Sequence, residues 1–237
     1  MIKCVIATNK SKAWQGELDR PEFAPFDMTL VENSDDAATH LKEAEVAIGI
    51  PFLLAPGLNE AVNLKWVQST FTGFDALCTQ GLRRDYTLTN VRDVFSKPIA
   101  EYVFAHILAR KNLLFKHAAD QSLSTWNQVS SDQIAGGTMT IFGTGSIGSE
   151  IARTAKAFGI TTIGVNRSGK QVDHFDEIYA IADMNQALAQ SADTIVTVLP
   201  GTSETTNYFD ANFFDQLTGA PTFINVGRGQ SLSLIHI

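Results

Sequence analysis

The stretch "TIFGTGSIGSEIARTAKAFG" constrains the fold of this chain more than any other, because it places three glycines between two regular elements. Gly143, Gly145 and Gly148 form a Gly-x-Gly-x-x-Gly pattern that follows an apolar, strand-like run and opens a helical one. In that setting the glycines permit a tight turn, a close approach of the backbone to a pyrophosphate, and close packing of helix on strand. The helix that begins near Ser146 and Ile147 offers N–H groups to the phosphates. The pattern predicts a dinucleotide-binding loop; a glycine-rich turn with only a structural role is the alternative.

Apolar runs alternate with helical patterns along the rest of the chain, which is typical of parallel sheets with crossover helices. The predicted strands are 3–8, 28–32, 46–50, 65–70, 86–89, 138–143, 161–166, 177–181, 194–200 and 222–227. The predicted helices are those near 35–44, 147–158, 183–190 and 210–217. The fold class is therefore α/β with doubly wound parallel sheets.

A long apolar helix is predicted after residue 95, in "SKPIAEYVFAHILARKNLLF". Ser96 can cap it and Pro98 suits its first turn, where a missing N–H costs little. The helix is apolar almost all round over 98–115, which indicates burial on more than one side, between domains or between subunits. We place a domain boundary just before it, between residues 95 and 96.

Bulk composition excludes several kinds of partner. The chain has 237 residues, enough for two modest domains, and a net charge of −7 that offers no field to nucleic acid. No apolar run approaches the ~18 residues of a membrane span, and the N-terminus has no leader pattern. Two cysteines without metal-type spacing indicate a reducing cytoplasm, and Cys4 is predicted to be a core residue.

The residues after the second strand of the glycine-containing domain predict which dinucleotide binds. An NAD site expects an acid there, on the adenosine ribose, but the chain has Asn166, followed by Arg167, Ser168 and Lys170. A carboxylate would repel a 2′-phosphate, whereas an arginine offers it a planar charged fork. We therefore expect NADP(H) to be preferred over NAD(H). The alternative is that Arg167 and Lys170 are solvated loop charges.

The chain resembles the D-isomer-specific 2-hydroxyacid dehydrogenases, and within them the glyoxylate/hydroxypyruvate reductase A branch. The resemblance covers residues 1–230 and is carried, besides the glycine loop, by "WVQSTFTGFD", "KPIAEYVFAHIL", "TVLPGTSETTNYFD" and "INVGRG" in this order. It implies a flavodoxin-like substrate domain at 1–95 and a Rossmann-type dinucleotide-binding domain at 96–231, the second incomplete at its C-terminus. It also implies a homodimer.

The resemblance implies substrate contacts as well. The loop backbone at Thr72 and Gly73 would hold the substrate carboxylate; for Gly73 a plain turn glycine is the alternative. Arg228 matches the catalytic arginine that grips a 2-oxo acid and stabilises charge growing on its oxygen. Its alternative is an ion pair with a neighbouring acid. Arg92 and Asp93 fall where the first domain crosses into the second, and we expect a salt-bridging hinge there rather than a substrate contact.

Further cofactor contacts are implied at the ends of two later strands. Leu199 and Pro200 would lie against the adenosine half, and Thr205 near its polar groups, unless Thr205 only caps a helix approach. Val226 and Gly227, next to the arginine, would also line the cofactor.

The family's general-acid histidine and orienting glutamate lie downstream of the arginine motif, and a positioned general acid is worth roughly 10²–10⁴ in rate. The chain has five histidines, none in that motif; they are His40, His106, His117, His174 and His236. We therefore expect the catalytic pair beyond residue 237. The last six residues, "LSLIHI" (232–237), match the translation of a transposase adapter, which predicts a non-native tail. Uncovered sheet edges would then leave this fragment poorly soluble and inactive, with weak dinucleotide binding.

These features predict that the intact parent reduces small 2-oxo acids such as glyoxylate or hydroxypyruvate with NADPH. Two alternatives stay open at this point: another activity of the same family, such as phosphoglycerate or longer-chain 2-oxo acid oxidoreduction, and a non-enzymatic dinucleotide-sensing scaffold similar to the corepressor relatives.

Overall fold

The chain forms two compact units, Met1–Arg92 and Asp93–Ile237, in a computed structural model that describes residues 1–188 and 192–233. Each unit contains one five-stranded sheet, and every pair of neighbouring strands in both sheets is parallel. The units divide between Arg92 and Asp93, which is three residues before the boundary that the sequence predicted between residues 95 and 96.

The first unit has the strand order β2-β1-β3-β4-β5, which is the flavodoxin-like order. Its strands are β1 (Ile2–Ala7), β2 (Phe26–Val31), β3 (Val46–Gly49), β4 (Trp66–Ser69) and β5 (Thr87–Thr89). Its helices are α1 (Ser11–Leu18), α2 (Ser34–Leu41) and α3 (Pro51–Leu54).

The central strand β1 is buried on both faces, as its unbroken apolar run requires. Val5 faces one apolar cluster with Leu41 and Leu54, whereas Cys4 and Ile6 face another. The prediction of Cys4 as a core residue is confirmed, and burial raises the pKa of its thiol to about 11.

The second unit has the order β10-β9-β6-β7-β8, the Rossmann order around the central strand β6. Its strands are β6 (Thr138–Phe142), β7 (Thr161–Asn166), β8 (Glu177–Ala180), β9 (Thr194–Thr197) and β10 (Thr222–Asn225). Its helices are α4 (Ser96–Lys111), α5 (Leu114–Ser122), α6 (Ser146–Ala157), α7 (Met184–Leu188) and α8 (Ala211–Asp215). The predicted α/β class is confirmed. The predicted helix 183–190 is α7, and its last two predicted residues lie outside the described part of the chain.

The long apolar helix differs from its prediction in two ways. Ser96 is the first residue of α4 rather than its cap, and its buried hydroxyl has no hydrogen-bond partner among the described residues. The helix also ends early, since Leu113 adopts φ 54° and a second helix, α5, follows it. One face of α4 packs against α6 through Val103 and Phe104, while Tyr102 on another face is 56% exposed. Within this unit α4 is therefore buried on one face, and its burial between domains or between subunits stays a prediction.

The beginning of the predicted non-native tail is packed against the second unit. Leu232 forms a bridge with Phe209, and the Ser233 N–H donates to the Phe209 carbonyl oxygen at 3.1 Å. Residues 234–237, with His236, lie outside the described residues, so the non-native origin of the tail stays a prediction. Across the described residues no helix combines the length and apolar character needed to cross a membrane.

Candidate active site

Four strands of the second unit end at one level, which brings their following loops together. Phe142 at the end of β6 pairs with Val165 on β7 and Thr197 on β9, and Thr197 pairs with Asn225 on β10. In open α/β sheets ligands bind outside the carboxyl ends of the strands. The residues predicted to bind cofactor and substrate in this unit all lie at or after these four strand ends.

An aromatic cluster underlies this edge of the sheet. The ring of Phe142 meets Phe209 edge-on with centroids 5.1 Å apart, and Phe209 meets Phe213 at 4.8 Å and Phe223 at 5.2 Å. Such edge-to-face contacts add to the stabilisation from burial itself. The glycine loop therefore starts from a rigidly packed residue.

Two of the three loop glycines are required by the protein's own packing. Gly143 has φ +100°, a conformation that residues with a side chain rarely adopt. A Cβ on Gly148 would overlap the carbonyl oxygen of Gly143, so α6 approaches β6 as closely as the glycine pattern predicts.

The third glycine of the loop faces open space. A Cβ on Gly145 would meet no protein atom within 4 Å, and its φ of −73° is one that alanine adopts without strain. Gly145 precedes α6, and no side chain caps this helix. The N–H groups that begin with Ser146 and Ile147 are thus left for a ligand, and the loop fits a pyrophosphate.

The loop after β7 is organised by the amide of Asn166. Its Oδ1 accepts from the N–H groups of Ser168 and Gly169 at 3.0 and 2.7 Å. Its Nδ2 donates to the Lys170 carbonyl oxygen at 3.0 Å and to Thr144 Oγ1 at 3.1 Å. Asn166 stands where an NAD site would have the acid that binds the adenosine ribose, and here its side-chain amide holds the loop together instead.

The structure brings Arg167 to a partner that the sequence did not indicate. Arg167 Nη2 lies 3.2 Å from Glu204 Oε2, a carboxylate in the loop after β9. Both side chains are largely solvated, at 86% and 71% exposure. The pair places a cation and an anion together at the edge where the adenosine ribose is predicted to bind.

Two residues after β9 have structural roles. Leu199 is buried with Phe142 in the core, whereas Pro200 is exposed. Thr205 is buried, and its Oγ1 donates to the Pro200 carbonyl oxygen at 2.5 Å and accepts from Thr202 N–H at 2.9 Å. The geometry of Thr205 agrees with the local cap that was its alternative interpretation.

Arg228 is half-buried and its backbone is fixed by two neighbours. The Arg228 carbonyl oxygen accepts from Ser231 Oγ at 2.7 Å and from Asn225 Nδ2 at 3.1 Å. Gly227 packs directly against the backbone of Leu199. A Cβ at residue 227 would lie only 2.5 Å from the Leu199 carbonyl oxygen, so this position needs glycine. The backbones of the β9 and β10 loops are thus in direct contact, with Val226 continuing the ladder to Thr197.

In the first unit the predicted substrate loop follows β4, again at a carboxyl edge. Asn90, after β5, donates through Nδ2 to the Thr72 carbonyl oxygen at 2.7 Å. Ser69 Oγ donates to the Phe71 carbonyl oxygen at 2.8 Å and accepts from its N–H at 3.1 Å. The loop that carries Thr72 and Gly73 is braced on both sides, so its backbone groups are held in place for a ligand.

A family model described as D-isomer specific 2-hydroxyacid dehydrogenase, NAD binding domain, matches residues 104–234 of the chain, which is more than half of it. The chain belongs to this family.

Individual relatives agree with this assignment. Glyoxylate/hydroxypyruvate reductase A of Yersinia enterocolitica is 28% identical over 182 residues, covering 74% of this chain and 58% of that protein. A family member from Aeromonas salmonicida superposes with TM-score 0.91 at 34% identity, over 99% of this chain and 76% of that one. An NADPH-dependent glyoxylate/hydroxypyruvate reductase from Sinorhizobium meliloti, solved with NADP and sulfate, superposes with TM-score 0.81 at 25% identity, over 100% and 76%. The chain spans 56–61% of the first curated relatives.

Sequence reasoning missed two residues of this candidate site. A Cβ on Gly201 would lie 2.6 Å from Gln230 Nε2 and 3.2 Å from Arg228 Cγ, so Gly201 makes room for the arginine's side chain. Gly201 lies inside the "LPGTSET" stretch that carried the resemblance, and a glycine just before a turn was the feature that could have indicated its role. Glu204 gave no signal, because its partner Arg167 is 37 residues away in the chain.

Proposed function

We propose that the complete protein reduces small 2-oxo acids, such as glyoxylate and hydroxypyruvate, to 2-hydroxy acids with NADPH, in the cytoplasm. The observation that carries this proposal is the meeting of an open glycine loop and Arg228 at one edge of one sheet. The first holds a dinucleotide's phosphates, and the second suits a 2-oxo acid. A scaffold that only senses dinucleotides needs the loop and could keep the arginine, but the presence of Arg228 favours chemistry.

The chemistry assigned to Arg228 follows from its guanidinium. Its planar fork binds the carboxylate and the keto oxygen together, which fixes the carbonyl carbon for attack. The same positive charge stabilises the oxygen as it becomes negative. NADPH, when bound, supplies the hydride, and a general acid supplies the proton. In the first unit, the braced backbone at Thr72 and Gly73 is proposed to hold the substrate carboxylate.

The preference for NADPH is proposed on two features of the loop after β7. Asn166 carries no charge, and its amide is engaged in bonds within the loop. Arg167 adds an exposed guanidinium next to it, and Ser168 and Lys170 add a hydroxyl and an ammonium. Together they suit a 2′-phosphate better than a bare ribose hydroxyl.

Steady-state oxidation of NADPH by the complete protein tests the function. We expect turnover with glyoxylate and hydroxypyruvate, weaker turnover with pyruvate, and a higher kcat/KM with NADPH than with NADH. Activity confined to phosphohydroxypyruvate would favour the alternative phosphoglycerate activity. A tenfold preference for NADH would overturn the cofactor assignment, and dinucleotide binding without any turnover would favour the sensor.

We also propose that the complete protein is a homodimer that uses the exposed apolar surface of α5 and the segment after it. Phe115 is 73% exposed and Trp126 is 92% exposed, which is unusual for large apolar side chains in a monomer. Replacing Phe115 and Trp126 together with serine should weaken association by at least about 30-fold, since buried aromatic anchors contribute roughly 2 kcal/mol or more. Sedimentation equilibrium measures this, with Val62→Ser on the first unit as the control. A complete protein that stays monomeric at 100 times its assay concentration would contradict the proposal.

A further inference from the structure

In the second unit, a carboxylate from another loop lies near the end of β7, where the chain itself has no acid. The end of β7 has an asparagine where NAD-binding domains carry a carboxylate, and the first cation that follows it is Arg167. The loop after β9 brings Glu204 to 3.2 Å from that guanidinium. A carboxylate therefore lies beside the residue that is proposed to bind the 2′-phosphate.

Arg167 is held at this place by the backbone of its own loop. Four hydrogen bonds of the Asn166 amide connect the loop to itself and to Thr144 of the glycine loop. Gly169 has φ +67°, which lets the chain turn within this short loop. The Cα of Arg167 is thus positioned before any ligand arrives.

Glu204 is held equally well on its side. It lies in a turn in which Thr206 N–H and Oγ1 both donate to the Thr202 carbonyl oxygen, at 3.1 and 2.9 Å. The buried Thr205 Oγ1 connects the same turn to Pro200. Two braced loops therefore meet at the Arg167–Glu204 ion pair, and both of these side chains are largely exposed, at 86% and 71%.

We propose that Glu204 determines cofactor selectivity by competing with the 2′-phosphate for Arg167. This inference rests on the proposed dinucleotide-dependent function. A 2′-phosphate carries nearly two negative charges, so it must displace the Glu204 carboxylate from the guanidinium and then lie beside it. The 2′-hydroxyl of NAD brings no charge and finds in Glu204 a hydrogen-bond acceptor. Glu204 thus reduces the preference for NADP that Arg167 creates and keeps NAD usable.

The experiment measures dissociation constants of NADP⁺ and NAD⁺ for the full chain by calorimetry at low and high salt. Glu204→Gln should tighten NADP⁺ binding about fivefold and leave NAD⁺ binding unchanged or weaker. High salt should reduce the gain, because both charges are exposed. Glu177→Gln is the matched control: it removes one acid from β8, opposite Ile163 and away from the carboxyl edge, and leaves an acceptor for the Tyr179 hydroxyl.

A double variant separates competition from general repulsion. In an Arg167→Gln background the gain from Glu204→Gln should fall to about half or less, because the contested cation is gone. An unchanged NADP⁺ to NAD⁺ ratio in Glu204→Gln, or the same shift in Glu177→Gln, would overturn the inference. Absence of binding of either dinucleotide to the unaltered chain would instead contradict the proposed function.

Discussion

Under the proposed function, Arg228→Lys is expected to lower kcat/KM for glyoxylate in the complete protein by about 10²–10³-fold while leaving NADPH affinity unchanged. Lysine keeps the charge but offers one attachment point, where the guanidinium offers a fork that meets two oxygens together. The loop itself should be unaffected, since its bonds from Ser231 and Asn225 go to the carbonyl oxygen of residue 228. Steady-state kinetics and NADPH titration measure the two quantities.

Arg153→Lys provides the matched control for this substitution. Arg153 lies on α6 of the same unit, where its guanidinium forms two bonds with Glu150 at 2.9 and 2.6 Å. The same chemical change there should alter kcat/KM by less than about twofold, because exposed ion pairs contribute little. If Arg228→Lys kept a third of the activity, Arg228 would not be the catalytic arginine. If it lost NADPH binding instead, its role would lie with the cofactor.

A pair of alanine substitutions in the glycine loop should separate folding from binding. Gly148→Ala is expected to lower the free energy of unfolding by at least about 2 kcal/mol, since its Cβ would overlap the Gly143 carbonyl oxygen. Gly145→Ala should leave stability within about 0.5 kcal/mol, because its Cβ meets no protein atom within 4 Å. It should nevertheless lower dinucleotide affinity at least tenfold, if a pyrophosphate fills that space.

Urea titration measures the stability of both variants, and calorimetry with NADP⁺ measures binding. Each variant serves as the control for the other, because the chemical change is the same and the positions lie three residues apart. Normal affinity in Gly145→Ala would mean that the phosphates bind elsewhere. Normal stability in Gly148→Ala would contradict the close packing of α6 on β6.

The sequence alone predicted the strands, the α/β class and the steric need for glycine at residues 143 and 148 correctly, since each depends on neighbours in the chain. The alternation of apolar runs with helical patterns indicates which segments are buried. Glycine is needed at residue 143 for its positive φ and at residue 148 for close packing, and both requirements arise within the loop itself. The errors were also local: Ser96 was placed as a cap because serine favours that position, but the chain enters α4 one residue earlier than the pattern indicated.

The roles of polar residues at the site were less predictable. Asn166 was interpreted by its type and distance from the glycine loop, yet its amide is engaged by Ser168, Gly169, Lys170 and Thr144. A sequence indicates which groups a side chain offers, but hydrogen bonds depend on which partners the backbone brings within about 3 Å.

The sequence by itself determined the features that depend on short segments of the chain. These are two sets of parallel strands, a glycine loop, and an arginine just after the last strand described. What only the tertiary structure decided is which of these loops meet. The loops after β7 and β9 lie near each other because both strands pair with β6, one on each side, and all three strands end at one level. Strand order is set by packing over the whole sheet, so the contacts of Glu204 with Arg167 and of Gly201 with Arg228 come from the fold and not from spacing in the chain.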